Sequence, residues 1–272
     1  MHRTPQEHRQ EFQEQGYTVF EGVLSADETA YAQAVFDEVI TPDTKPPIVY
    51  PIEDARRQMN KLHCEPRLSK FGHHPRVLEA MRRLFDRPFR LDHTPTPTAL
   101  FQGKSAGLPG VPGKWWGHID WPSKPPTPSE INGYGYGILH FTTLEPGGGC
   151  FTLVPRSHKL VESYLDDPDM LPRMYRSEFH DFPGLEPEIE ITANAGDLLF
   201  FHPLLVHNAS DNLSTRTRKV LHTIFRALDE EPAEDEPVRN IERFHPDYVA
   251  SVDDDLKWLL EPVPASLSNS PP

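Results

Sequence analysis

The chain has 272 residues, and its 27 Lys and Arg against 41 Asp and Glu give a formal net charge of −14. This negative balance argues against a general nucleic-acid-binding protein, which needs a basic surface. The two cysteines, Cys64 and Cys150, have neither metal-binding nor redox spacing, so we expect a cytoplasmic protein without a disulfide framework. Residues 1–15 lack an apolar core, and no apolar run approaches about 18 residues. We therefore predict neither a signal peptide nor a membrane span.

The N-terminal third carries the patterns of helices. Helices are predicted over 6–15, 25–40, 54–60 and 75–85, and a short strand over 17–20. The clearest start signal is the capping box of Ser25 and Glu28. A serine before a helix and a glutamate three residues later satisfy each other's backbone N–H groups, so a helix is expected to begin there.

From about Phe89 the patterns are those of short strands between Gly and Pro turns. Strands are predicted over 94–101, around 118–120, and over 134–143, 150–154, 188–191, 198–202, 204–207 and 219–225. Residues 160–185 read as an irregular connection, and a helix is predicted at 252–260 in an acidic tail. Thirty Pro and sixteen Gly favour such a chain of strands and loops over a helical bundle.

This order of elements predicts a mainly β protein with N-terminal helices. Helices followed by about eight short strands suggest a double-stranded β-helix, the cupin-like jelly roll, whose mouth can hold a metal and a small ligand. We expect one domain over 1–272. In it a helical part, 1–88, packs on a jelly-roll core, 89–227, and an acidic tail or lid, 228–272, follows.

Two side chains that suit a divalent metal follow a Gly/Pro-rich loop. Residues two apart in an extended strand point to the same face, so His118 and Asp120 would project together and Ile119 away from them. An imidazole and a carboxylate leave a metal short of protein ligands. A second, distant histidine would complete the two-histidine, one-carboxylate set of non-haem Fe(II) oxygenases. A lone His-x-Asp pattern is weak, so the rest of the chain decides.

The second half of the chain supplies the missing partner. An apolar run ends in His207, far enough beyond Asp120 for the chain to cross a barrel and return. Arg218 stands at the start of the next predicted strand, and a buried arginine there could hold a carboxylate bidentately, as a lysine cannot. His202 is expected to face away from His207, because odd and even strand positions point in opposite directions.

On these motifs the chain resembles the phytanoyl-CoA dioxygenase family, within the Fe(II)- and 2-oxoglutarate-dependent oxygenases. The landmarks that follow the family's order are Gly16-Tyr17, Gly22-Val23-Leu24-Ser25, His118-x-Asp120, Pro155-x-Ser157-His158, Gly196-Asp197, Phe200-Phe201-His202-Pro203-Leu204-Leu205-x-His207, Asn212 and Arg218. The match spans roughly residues 7 to 227. The order of the motifs, rather than any single one, carries the resemblance.

The resemblance implies a double-stranded β-helix with iron on His118, Asp120 and His207. It also implies that 2-oxoglutarate chelates the metal with its distal carboxylate on Arg218, and that Gln102 helps to hold this cosubstrate. The implied reaction is the oxidative decarboxylation of 2-oxoglutarate by O₂ to succinate and CO₂, coupled to oxidation of a substrate C–H bond. Asp120 argues against halogenation, because related halogenases have a small residue at that position.

Two departures from the family pattern bear on the site. Family members usually have Gly at the position of Arg156, and Ser or Thr at the position of Ala209. The lost hydroxyl suggests that Thr142 or Tyr136 contributes to cosubstrate binding instead. We predict that Arg156 faces the mouth and meets an anionic or polar substrate.

Aromatic residues around the ligands are predicted to line the substrate pocket. Substrate contacts are expected from Trp121, just past Asp120, and from Trp116 and Tyr136. His140 shares a face with Tyr136, where it could line the pocket or pack in the core. The substrate itself is not identified by any of these residues.

The sequence therefore predicts a hydroxylating Fe(II)- and 2-oxoglutarate-dependent dioxygenase that acts on a small molecule. Two alternatives stay open at this point. One is a non-catalytic jelly-roll protein that binds a metal or a small molecule, and the other is a cupin-type metal-dependent isomerase. The expected partners are a small-molecule substrate with no nucleic acid and no membrane, and the expected assembly is a monomer or a homodimer.

Overall fold

A computed structural model describes residues 3–44, 60–85, 87–105, 117–120, 133–227 and 244–260. The helices are α1 (Pro5–Gln15), α2 (Ala26–Val39), α3 (Pro66–Ser69), α4 (Pro75–Phe85), α5 (Ser157–Glu162), α6 (Leu171–Tyr175) and α7 (Pro246–Ser251), with 3-10 turns at Lys70–His73, Phe179–Asp181 and Asp254–Leu260. The strands are β1 (Tyr17–Phe20), β2 (Asn60–Lys61), β3 (Phe89–Leu91), β4 (Thr96–Leu100), β5 (Tyr134–His140), β6 (Phe151–Leu153), β7 (Ile189–Ile191), β8 (Leu198–Phe201), β9 (His207–Ala209) and β10 (Arg218–Ala227). None of the helices in these ranges is long and apolar enough to cross a membrane.

The first two helices begin where their capping signals predict. Ser25 accepts a hydrogen bond from the N–H of Glu28, whose carboxylate accepts in turn from the N–H of Ser25. Thr4 and Glu7 form the same reciprocal pair at the start of α1. Gly16 ends α1 with φ of 83°, a left-handed conformation that glycine adopts without strain.

The strands form two antiparallel sheets that face each other as a jelly roll. The larger sheet has the order β1-β8-β5-β10-β4-β2, with β3 also paired to β10, and the smaller has the order β7-β6-β9. A single bridge between His118 and His207 adds the His-x-Asp segment to the smaller sheet. The predicted mainly β fold with N-terminal helices is confirmed.

Successive residues of β10 lie on opposite faces of the larger sheet. Leu221 and Phe225 belong to the core shared with the helices, whereas Val220 belongs to a second cluster between the sheets. Residues two apart in a strand share a face, so Arg218 and His222 point between the sheets with Val220. The fold thereby places an arginine and a histidine in the interior of the jelly roll.

Several segments differ from the sequence prediction. Residues 204–207 are not a strand, because Pro203 begins a turn in which the N–H of Leu205 donates to the carbonyl of His202, and β9 begins only at His207. The connection over 160–185 contains the end of α5, the whole of α6 and the 3-10 turn at Phe179–Asp181. The predicted helix at 252–260 is a 3-10 turn, and α7 precedes it. Of the predicted helix over 54–60, only Asn60 is among the described residues, and it begins β2 rather than ending a helix.

Buried histidines predict that the fold is sensitive to acid. Burial lowers the pKa of His158 to about 4 and that of His202 to about 3, and the two rings lie 5.0 Å apart. In the unfolded chain each histidine takes up a proton near pH 6.5. Below that pH the unfolded state therefore binds more protons than the folded state, and the free energy of unfolding decreases as the pH falls. We expect each histidine to cost about 2 kcal/mol of unfolding free energy between pH 7 and pH 5, as measured by urea denaturation.

The matched variant is His158→Gln. Glutamine keeps an N–H donor for the carbonyl of Gln13, which lies 3.2 Å from Nε2 of His158, but it does not titrate. The variant is therefore expected to lose about 2 kcal/mol less than the wild-type protein between the two pH values. Equal losses would mean that other groups set the acid sensitivity.

Candidate active site

His118 and His207 are joined through their backbones. The N–H of each residue donates to the carbonyl of the other at 2.9 Å, and one step further the N–H of Asp120 donates to the carbonyl of Pro203 at 2.9 Å. Ile119 is buried in a separate apolar cluster. The segment is thus one antiparallel bridge rather than a full strand, but it keeps the alternation that sends the side chains of His118 and Asp120 together.

The three predicted ligands converge on one point. One ligand atom from each of His118, Asp120 and His207 lies within 4.8 Å of the others, and Nε2 of His207 is 3.5 Å from Oδ2 of Asp120. Two donors on one divalent ion with bonds of about 2.0–2.2 Å can be at most about 4.4 Å apart. Small side-chain rotations would therefore bring all three ligand atoms within bonding distance of one ion. The two imidazoles and the carboxylate are donors that suit a divalent metal.

Burial sets the charges of these groups. It lowers the pKa of His118 to about 3 and that of His207 to about 4, so both are neutral at pH 7, which is the form that binds a metal. Burial raises the pKa of Asp120. A divalent ion bound beside Asp120 would favour its ionised form, as the charge of Lys61 already does in part.

The imidazole of His207 is held in one orientation. Its Nδ1 lies 2.7 Å from the carbonyl of Leu205, so Nδ1–H donates there and Nε2 is left as the ligand atom that faces Asp120. Its ring stacks on Phe151 at 4.9 Å and lies 4.8 Å from that of Phe201. By contrast, Nδ1 of the His118 ring is buried and has no hydrogen-bond partner in the described part of the chain.

Arg218 is the buried cation of the interior. One guanidinium nitrogen donates to the carbonyl of Gly149 at 2.8 Å, whereas Nε is buried without a partner among the described residues. Burial lowers the pKa of Arg218 to about 10, so the side chain stays charged at neutral pH. An arginine with a free donor in a closed interior is suited to bind the carboxylate of a small ligand.

Lys61 is a second cation that no sequence pattern pointed to. It pairs with Thr98 of β4, which pairs in turn with Val220 on the interior face of β10. Burial lowers the pKa of Lys61, and the nearby Asp120 opposes this shift. Because β2 has only two residues, the sequence shows no periodicity from which this orientation could be predicted.

The predicted cosubstrate contacts are placed in different surroundings. Tyr136 lies on the interior face of β5 and stacks on Phe201 at 5.6 Å, beside the ring of His207. Gln102 is exposed in the turn after β4. Its role in cosubstrate binding stays a prediction that no contact in the described ranges supports.

Thr142 differs from its predicted position. Strand β5 ends at His140, and the Thr142 hydroxyl then accepts from the N–H of Lys219 at 3.0 Å. Its side chain lines a cleft of about 380 Å³ with Gln33 of α2 and with Lys219, whose ammonium contacts Asp37 of α2. Thr142 thus faces the helices on the outer side of the sheet, away from the interior that holds Arg218.

Arg156 has an ionic partner within the protein, and its predicted contact with the substrate stays a prediction. Its side chain is exposed and forms an ion pair with Glu186, so its charge is already met by a carboxylate of the protein itself. Its backbone has φ of 63°, the left-handed region that favours glycine. This conformation gives a physical reason for the glycine that the family usually has there. The other two predicted substrate contacts, Trp116 and Trp121, lie outside the described residues.

The left-handed backbone at Arg156 predicts a stability difference between two variants. Neither Arg156→Gly nor Arg156→Ala can form the ion pair, but only glycine adopts φ of 63° without strain. We expect the glycine variant to be more stable than the alanine variant by about 1 kcal/mol in urea denaturation. Equal stabilities would show that the segment relaxes to another conformation.

The fold and the site together define a class of enzyme. Two histidines and one carboxylate inside a double-stranded β-helix are the ligand set of non-haem Fe(II) oxygenases, and a buried arginine in the same interior is what a keto-acid cosubstrate with a distal carboxylate requires. These are the features of an Fe(II)- and 2-oxoglutarate-dependent oxygenase.

The chain belongs to the phytanoyl-CoA dioxygenase family, whose model matches residues 12–220. A curated relative is the peroxisomal phytanoyl-CoA dioxygenase of Mus musculus, which is 24% identical over 236 residues that cover 82% of this chain and 68% of the relative. The corresponding protein of Rattus norvegicus is 21% identical over 246 residues, with the same coverage. Members of this family use Fe(II), 2-oxoglutarate and O₂, and the protein is an Fe(II)- and 2-oxoglutarate-dependent dioxygenase.

Solved structures with the same fold include enzymes of several reaction types. The non-haem α-ketoglutarate-dependent epimerase SnoN from nogalamycin biosynthesis is 19% identical with a TM-score of 0.62, over 82% of this chain and 83% of that one. The carbocyclase SnoK from the same biosynthesis is 19% identical with a TM-score of 0.62 over 98% of both chains. HygX from Streptomyces hygroscopicus, with nickel and 2-oxoglutarate bound, is 17% identical with a TM-score of 0.58, over 81% of this chain and 86% of that one. These similarities confirm the fold.

Proposed function

We propose that the protein hydroxylates an unactivated C–H bond of a small-molecule substrate, with release of succinate and CO₂. The observation that carries this proposal is the convergence of His118, Asp120 and His207 within 4.8 Å in the interior that also contains Arg218. His118, Asp120 and His207 would hold the metal as three protein ligands, a set that leaves room for a keto-acid cosubstrate and O₂ to bind. When bound, the iron and its cosubstrates supply the oxidising chemistry.

The residues of the chain hold and orient these groups. His118, Asp120 and His207 bind the metal, and the hydrogen bond from His207 to the carbonyl of Leu205 fixes the ligand nitrogen. Arg218 binds the distal carboxylate of 2-oxoglutarate. Lys61, whose charge opposes the rise in the pKa of Asp120, adds positive charge beside an anionic cosubstrate.

The substrate side of the site is built from aromatic residues. Tyr136 stacks on Phe201, whose ring lies beside His207, so an apolar wall reaches the metal ligands. We propose this wall for contact with the part of the substrate that is oxidised, and Trp116 and Trp121 for further contacts. The position of the site between the two sheets suits a small molecule rather than a polymer.

The first experiment asks whether the cosubstrate binds to the metal. Addition of Fe(II) and 2-oxoglutarate to the protein without oxygen is expected to give the visible charge-transfer band of the chelate. Admission of O₂ is then expected to release succinate, faster with a substrate than without. A protein that shows neither the band nor succinate with a broad panel of small molecules would contradict the proposal and favour a non-catalytic binding protein.

The second experiment distinguishes the outcomes of oxidation. SnoN and SnoK are described as an epimerase and a carbocyclase, so the product formula is informative. Hydroxylation adds one oxygen atom, ring closure or desaturation removes two hydrogen atoms, and epimerisation leaves the formula unchanged. Mass spectrometry of the product is expected to show the added oxygen atom. Turnover that needs neither O₂ nor 2-oxoglutarate would favour a cupin-type isomerase instead.

A further inference from the structure

The family resemblance implies a serine or threonine at the position of Ala209, as a second partner for the distal carboxylate of 2-oxoglutarate. This chain has no hydroxyl there. Thr142 does not replace it, because its side chain faces the cleft beside α2, away from Arg218. One acceptor oxygen of a carboxylate held by Arg218 would thus need a donor from another side chain.

His140 is a fully buried histidine on the interior face of β5. It stands directly opposite Val220 of β10, and Val220 and Ile138 belong to the cluster between the sheets. Cross-strand partners share a face, as do residues two apart in one strand. His140 therefore lies diagonally across from Arg218 on the same face of the sheet, and the positive charge of Arg218 adds to burial in lowering the pKa of His140.

The two ring nitrogens of His140 are used unequally. Nδ1 lies 3.3 Å from the carbonyl of Asp197, a long hydrogen bond, whereas Nε2 is buried with no partner in the described ranges. Nε of Arg218 is unpartnered in the same way. A buried polar atom without a partner is costly, so two of them on adjacent positions of one face indicate a shared ligand.

We propose that His140 binds the distal carboxylate of 2-oxoglutarate together with Arg218, in place of the hydroxyl that is missing at Ala209. The inference rests on the proposed function. The imidazole stays neutral and moves its proton from Nδ1 to Nε2, which then donates to one carboxylate oxygen while Arg218 donates to the other. The long bond to Asp197 is given up for a charge-assisted one, which is roughly twice as strong as a neutral hydrogen bond.

The test compares two keto acids on one variant. The protein is loaded with Mn(II), and the dissociation constants of 2-oxoglutarate and 2-oxopentanoate are measured by calorimetry. 2-Oxopentanoate has the same chain length but a methyl group in place of the distal carboxylate. His140→Leu is expected to weaken 2-oxoglutarate binding by roughly tenfold to a hundredfold and to leave 2-oxopentanoate binding unchanged. His140→Gln, which keeps an N–H donor, is expected to recover part of the loss.

The control variant is Thr142→Val, which is expected to bind both keto acids as the wild-type protein does. A His140→Leu variant that weakens both keto acids equally would overturn the inference, because the role would then be one of shape rather than of carboxylate binding. Unchanged 2-oxoglutarate binding in that variant would also overturn it. A wild-type protein that binds neither keto acid would instead overturn the proposed function, and the inference with it.

Discussion

Replacement of Asp120 by alanine is expected to abolish metal binding and succinate formation. The variant keeps the backbone bridge between His118 and His207, but it loses the one anionic ligand of the set. Loss of a direct ligand should exceed the roughly 10–100-fold effect that is typical of outer-shell partners. The measurements are Mn(II) affinity by calorimetry and succinate release after addition of Fe(II), 2-oxoglutarate and O₂.

The stability of the Asp120→Ala variant shows whether metal binding is lost because a ligand is missing or because the protein unfolds. In the metal-free protein Asp120 is a carboxylate that burial disfavours in its charged form, so its removal should not lower the free energy of unfolding. His202→Gln is the matched control, because His202 precedes His207 in the same apolar run but is not part of the ligand cluster. Metal binding that survives Asp120→Ala but is lost in His202→Gln would contradict the assigned ligands.

Replacement of Arg218 by leucine is expected to weaken 2-oxoglutarate binding by roughly a hundredfold or more. Removal of one partner from a buried charge pair typically costs about 2–5 kcal/mol, because the other charge is left unpaired. Arg218→Lys should recover little, since lysine cannot donate bidentately and cannot also hold the carbonyl of Gly149. The dissociation constant of 2-oxoglutarate on the Mn(II)-loaded protein measures both effects.

Arg216→Leu is the control for this series. Arg216 lies two residues earlier, is exposed, and donates to the carbonyl of Thr143 at 3.1 Å, next to the cleft beside α2. We expect the Arg216 variant to bind 2-oxoglutarate as the wild-type protein does. If the two variants lost affinity equally, general electrostatic attraction rather than a specific contact would explain the effect.

Local signals in the sequence were sufficient to predict the features that depend only on residues close together in the chain. The capping box of Ser25 and Glu28 begins α2, because both partners lie within one helical turn. The alternation of His118, Ile119 and Asp120 survives although the segment makes only one bridge, because even a short extended piece sends alternate side chains to opposite sides. The prediction of a strand over 204–207 was wrong, since buried apolar residues occupy a turn after Pro203 as readily as a strand.

Features that depend on pairing between distant strands could not be predicted in the same way. The sequence predicts Thr142 as a substitute for the hydroxyl absent at Ala209, but β5 ends two residues earlier and the side chain turns toward α2. His140 could equally have lined a pocket or packed in a core. Only its position opposite Val220 shows that it shares the face of Arg218.

By itself the sequence determined the types and the order of the chemical groups: the His-x-Asp pair, the later histidine and arginine, and helices before strands. The types and the order of these groups follow from short-range geometry and from motifs whose residues lie close together in the chain. Tertiary structure alone decided which groups share one interior, and it brought Lys61 toward Asp120 and His140 toward Arg218. The physical reason is that strand register, set by packing across the whole sheet, controls which face each side chain occupies.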